Sequence, residues 1–152
     1  MLIKEKQQDP IIVALKKFFE LKAGFFRMEM AFLYGSRAEG FPRPDSDVDI
    51  AIVFEDEVKT EEGIFNAMVD IALALEKEIG KEINVIPIYR DFRKPLLYYN
   101  AIVMGVPVYF KDYDGYVALR NEAINQMEDF ELFGKKWQIM VARNNLEALD
   151  RG

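Results

Sequence analysis

Apolar positions fall into blocks along the chain, and changes in their spacing mark the elements. After a polar start, MLIKEKQQDP, the run IIVALKKFFELKAG reads as a helix. Asp9 offers an N-cap oxygen, Pro10 suits the first turn, and Gly24 is placed to close the C-terminus. MEMAFLY at 28–34 is then a strand stopped by Gly35, and DVDIAIVF at 47–54 is a second, rich in Val and Ile. Thr60 precedes another helix, in which Ile64, Met68, Ile71 and Leu75 recur at helical spacing until Gly80. EINVIPIY at 82–89 is a third strand. Its Pro87 has no N–H to donate, so it marks an edge or the point where pairing stops. Pro95 opens a short helix closed by Gly105, VPVYF at 106–110 is a fourth strand, and 113–149 is helical with a break near Gly134.

This order predicts an α/β (α+β) fold, with a small mixed sheet of about four strands and helices mainly on one side. The 152 residues are enough for one core. The expected organisation is a single domain, 1–152, with a C-terminal helical extension at 113–149. That extension carries Phe130, Leu132, Phe133, Trp137, Ile139, Met140 and Leu146, more apolar surface than one helix on a small sheet requires. Two readings stand: the helix folds back on its own core, or it forms a homo- or hetero-oligomer interface.

Composition narrows the chemistry. There is no cysteine and no histidine, which removes disulfides, thiolate zinc sites, cysteine nucleophiles and any Ser-His-Asp triad. What remains is carboxylate, hydroxyl, amine and backbone chemistry, which suits hard cations such as magnesium. The net charge of −6 makes nucleic acid an unlikely partner. No apolar run approaches the roughly 20 residues of a membrane helix. The N-terminus lacks the apolar core of a secretory signal, so the expectation is a soluble, cytoplasmic protein.

The loop between the first two strands is about a dozen residues long, a length uncommon unless functional. It runs through GSRAEGFPRPDSDVD, residues 35–49. Asp47 and Asp49 are one residue apart at the start of a strand. Alternation therefore puts both carboxylates on one face, with Val48, Ile50 and Ile52 on the other. Such a pair can hold a divalent cation whose other positions go to water and phosphate oxygens. Gly35 lets a phosphate approach the backbone, and Ser36 adds a hydroxyl where amides can point at an anion. Phosphate cradle and metal clamp would lie on adjacent strands, as phosphoryl or nucleotidyl transfer requires.

Two rival motifs fail. Gly35 and Gly40 have Walker A spacing, but Phe41-Pro42 stands where Lys-Ser or Lys-Thr is needed. Asp45, Asp47 and Asp49 imitate an EF-hand loop, but Ile50 and Asp56 occupy the glycine and glutamate positions. The plain reading is an acidic turn before a strand.

Gly35-Ser36, ten residues, then Asp47-x-Asp49 resembles the signature of the DNA polymerase beta-like nucleotidyltransferase superfamily, especially its minimal nucleotidyltransferase (MNT) domains. The similarity extends from the first strand through VYFKD at 108–112 and includes INVIPIYRDFRKPLLYYNAIVMGVPVYFKD. The resemblance implies two magnesium ions at Asp47 and Asp49, ATP held by Gly35 and Ser36, and transfer of AMP to a hydroxyl acceptor. It also implies an antitoxin role, with AMP passing to a tyrosine of a HEPN-type toxin. The chain departs from the family at the third carboxylate, where alignment of INVIPI puts Asn84. An amide oxygen can ligate a cation but carries no charge and cannot act as a base. Glu82, two residues earlier on the same face, is the substitute considered, across roughly 6–7 Å of strand.

Nucleotide binding without chemistry is therefore the alternative function, and transfer to a small molecule such as an aminoglycoside is a third. Arg37 and Arg43 are phosphate-binding candidates or solvated loop charges. Ser46 is placed to orient the aspartates from within the loop, and Asp45 reads as a turn residue. Tyr98 and Tyr99 could stack a base or belong to the core, and Lys94 reads as surface.

Overall fold

The computed structural model describes residues 9–39, 46–56, 58 and 60–150. Arg43 and Asp45 lie outside the described residues. The elements are α1 (Pro10–Lys22), β1 (Met28–Tyr34), α2 (Ser36–Glu39), β2 (Val48–Phe54), α3 (Glu61–Ile79), β3 (Ile83–Pro87), α4 (Pro95–Ile102), β4 (Val106–Phe110) and α5 (Tyr113–Asp150).

Local signals explain most boundaries. The Asp9 carboxylate accepts from the Ile11 amide at 2.8 Å, and the Thr60 hydroxyl from the Gly63 amide at 3.0 Å, so both predicted N-caps form. Gly80 ends α3 in the left-handed region, φ 74°, with its N–H donating to Glu76. Gly24 does not close α1. The helix ends at Ala23 in right-handed geometry, and the left-handed residue before β1 is Arg27, φ 54°. Gly105 is required by close approach: a Cβ there would collide with the Ala101 carbonyl and lie 2.7 Å from that of Leu33.

The four strands form one mixed sheet in the order β3-β2-β1-β4. β1 pairs antiparallel with β2 and β4, while β2 and β3 are parallel. Pro87 lies at the end of β3, an edge strand, opposite Ile52, so both readings of that proline apply. The expectation of helices mainly on one side needs correction, because helices cover both faces. Ile12, Leu15 and Phe19 of α1 and Ile71 and Leu75 of α3 pack with Leu33, Ile50 and Ile52 on one face. Tyr98 and Ile102 of α4 and Leu119 and Ala123 of α5 pack with Phe32, Ala51 and Val53 on the other. The β strands satisfy this second layer by carrying apolar side chains on both faces.

The C-terminal helix also differs from expectation. α5 runs unbroken through Gly134, since one glycine in a helix costs only about 1 kcal/mol relative to alanine. Beyond Ala123 its apolar side chains do not return to the core: Phe133 is 67% exposed and Trp137 55%. No helix among the described residues is long and apolar enough to cross a membrane.

Candidate nucleotide and metal site

Sheet register gathers the site. Tyr34 at the end of β1 is opposite Asp49 of β2, and Asp49 is in turn opposite Asn84 of β3. The three residues form one row across three strands. Val48, Ile50 and Ile52 belong to the α1/α3 core. Alternation therefore turns Asp49 and Asp47 to the other face, as the sequence spacing predicts. Asp47 is exposed and Asp49 half-buried.

Asn84 bridges the two acids. Its Nδ2 donates to Asp47 Oδ2 at 3.3 Å and to Asp49 Oδ1 at 3.2 Å. Two carboxylates side by side repel, and the amide N–H groups stand between them where a cation would give greater relief. Rotating the amide by 180° presents Oδ1 instead, so the same side chain can serve as an oxygen ligand. Two carboxylates and an amide oxygen make a donor set suited to magnesium. Among the described residues no three acidic side chains converge, so Glu82 does not replace the third carboxylate. Its backbone carbonyl instead accepts from the Val48 amide at 2.9 Å.

Gly35 lies against this pair. Its φ is +77°, and a Cβ built on it would stand 2.5 Å from Asp49 Oδ2. Glycine is thus demanded twice, by backbone conformation and by the carboxylate beside it. Ser36 starts α2 and is exposed, with its hydroxyl at the head of the turn. Arg37 is only 8% exposed. Its Nε and Nη2 donate to the Ser46 carbonyl at 3.2 and 2.8 Å. The guanidinium therefore fastens the start of β2 to the helix after Gly35 and fixes where Asp47 begins. Ser46 accepts both of these bonds through its backbone carbonyl.

The sequence reading passes over Tyr34, Leu97, Asn100 and Met104. With Gly35 and Ala38 they line a cavity of about 280 Å³ beside the glycine turn. The only sequence signal was Tyr34 directly before Gly35; the α4 residues reach the site through packing alone. Burial, and then the charge of Asp49, push the Tyr34 phenol up to about 12. Tyr98 belongs to the core, its hydroxyl accepting from the Tyr89 amide at 3.2 Å, and burial raises its pKa. Lys94 is exposed before α4.

A family description, Polymerase beta, Nucleotidyltransferase, matches residues 14–114, which span the sheet, the glycine turn and both aspartates. The chain belongs to this nucleotidyltransferase family. No curated protein matches it closely enough to count. Among solved structures, this nucleotidyltransferase resembles a chain of a toxin–antitoxin complex with AMP-PNP, with TM-score 0.64 and 15% identity over 84% of this chain and 97% of that one. It also resembles a chain of the MntA–HepT toxin–antitoxin, with TM-score 0.60 and 13% identity over 85% and 97%. A third likeness is to a chain from a tri-AMPylated Shewanella oneidensis HEPN toxin in complex with its MNT antitoxin. There the TM-score is 0.59 and identity 14%, over 86% and 98%. At these identities the likeness is one of fold, and it covers nearly the whole length of those chains.

Proposed function

We propose that the protein is an MNT-type antitoxin that moves AMP from ATP to a tyrosine hydroxyl of a HEPN-type toxin, with magnesium held by Asp47 and Asp49. The observation that carries this is the cluster of Gly35, Asp49 and Asn84, with Asp47 two residues before Asp49 and also bonded to Asn84. The names of the structurally similar complexes supply the partner class and the transferred group.

In this reading the amides after Gly35 and the Ser36 hydroxyl bind the triphosphate, and the cavity beside Tyr34 receives the nucleoside. The acceptor oxygen forms a bond to the α-phosphorus as the bond to the bridging oxygen breaks, and pyrophosphate leaves. The hydroxyl proton passes to water or to the exposed carboxylate of Asp47, because Asn84 cannot take it. Magnesium, when bound, neutralises phosphate charge and makes the acceptor hydroxyl more acidic. Arg37 is a positioning residue that sets the spacing between the glycine turn and Asp47. A reaction that consumes ATP fits a cytoplasmic protein.

A second reading rests on Asn84: an antitoxin that binds nucleotide and toxin without transfer. One experiment separates the two. The protein is incubated with magnesium, ATP labelled at the α-phosphate and the product of the adjacent gene. Label on that protein, lost in Asp47→Ala, supports transfer. A tight complex without label, with transfer appearing only in Asn84→Asp, supports the binding reading. Neither label nor complex sinks both.

A further inference from the structure

Packing fixes the end of α4 beside the glycine turn. Tyr98, Ala101 and Ile102 are buried. Gly105 sits so close to β1 that a Cβ on it would lie 2.7 Å from the Leu33 carbonyl, one residue before Tyr34. Leu97 and Asn100 are three apart on α4 and share a face. Met104 extends that face just beyond the helix, its amide donating to the Tyr99 carbonyl at 3.3 Å. All three line the cavity of about 280 Å³, together with Tyr34, Gly35 and Ala38.

The lining is apolar apart from the Tyr34 hydroxyl, the Asn100 amide and the backbone of the turn. Among the described residues the Asn100 amide has no hydrogen-bond partner. An apolar cavity with a few polar groups that fix orientation is the usual form of a small-molecule site. We infer that Asn100 reads the nucleobase, its amide pairing with the 6-amino edge of adenine. This deepens the function proposed above and rests on it. Tyr34 is opposite Asp49 in the sheet, so a nucleoside in the cavity keeps its phosphate end at Gly35 and the acids. Leu97 and Met104 offer apolar and thioether surface to the faces of a base. Met104 is 60% exposed, an apolar side chain that the core does not use and a base would cover. The amide meets adenine at two points: Oδ1 accepts from the 6-amino group, and Nδ2 donates to N1 or N7.

The test is titration calorimetry of the full chain with magnesium and four ligands: ATP, GTP, purine riboside triphosphate, which lacks the 6-amino group, and inorganic triphosphate. Loss of the 6-amino group should weaken binding to the parent about fivefold and binding to Asn100→Leu hardly at all. Asn100→Asp has a carboxylate that only accepts, which suits the N1–H and 2-amino donors of guanine. It should shift the ratio of ATP to GTP affinity about tenfold or more toward GTP. That ratio is blind to partial misfolding and to repulsion of the triphosphate, which act on both nucleotides alike. A parent indifferent to the 6-amino group, or a ratio unmoved in Asn100→Asp, overturns the inference and leaves the triphosphate site standing. So does inorganic triphosphate binding as tightly as ATP. Binding of neither ATP nor inorganic triphosphate overturns the nucleotide site itself, and the base assignment with it.

Discussion

Gly35 has no side chain because its surroundings leave room for none. Gly35→Ala should lower stability by about 1–2 kcal/mol in chemical denaturation, from the left-handed backbone alone. It should weaken ATP binding as well, since the new methyl must displace the Asp49 carboxylate; retention of wild-type ATP affinity would show that the turn does not hold phosphate. Tyr34 offers a test by pH. Its proton is held more tightly in the folded protein than in the unfolded chain, where it leaves near pH 10. The stability this adds is whole below about 10 and is lost as pH rises toward about 12. Stability should therefore fall over that window less steeply in Tyr34→Phe, and the late-titrating part of the phenolate absorbance should be smaller in that variant than in the parent. At this scale Asp47, Asp49 and Gly35 were legible because their neighbours are close in sequence. Arg37 was read as a phosphate ligand or a loop charge, and its bond to Ser46 was invisible because it spans a loop whose closure no local rule describes.

Glycine shows what an element adds to a residue. Gly80 and Gly134 both follow helical stretches rich in apolar residues, and the sequence reading stops a helix at each. Only Gly80 does so, because the chain after it turns back to pair as β3 and the helix carbonyls need a left-handed cap. Gly134 is followed by helix formers, with no competing contact. The two substitutions should thus act oppositely. Gly80→Ala should lower the melting temperature, the cost being about 1 kcal/mol, whereas Gly134→Ala should raise helicity and stability by up to about 1 kcal/mol. Circular dichroism and thermal melts decide the signs. The short helix α2 lies in what the sequence reads as loop, and α4 stops at Ile102, before Gly105; the remaining elements were readable within a residue or two, because capping groups and strand alternation are short-range signals. Gly24 misled because the chain reverses at Arg27 instead, a choice set by where β1 must enter the sheet.

At the scale of the molecule, the sequence alone determined the four strands, the chief helices and the glycine-and-aspartate pattern of the family. All depend on interactions among residues a few positions apart, or on periods of two and 3.6 that any folded chain must obey. Tertiary structure decided the rest. Parallel pairing of β2 with β3 set Asn84 between Asp47 and Asp49, 37 and 35 positions away in sequence. Packing of α4 brought Leu97, Asn100 and Met104 to the glycine turn. The length of α5, far greater than the sheet it crosses, left its apolar stripe uncovered beyond Ala123. A periodic pattern identifies a face but not what covers it, since hydrophobic burial has no direction of its own and is satisfied equally by the chain's own core or by another molecule.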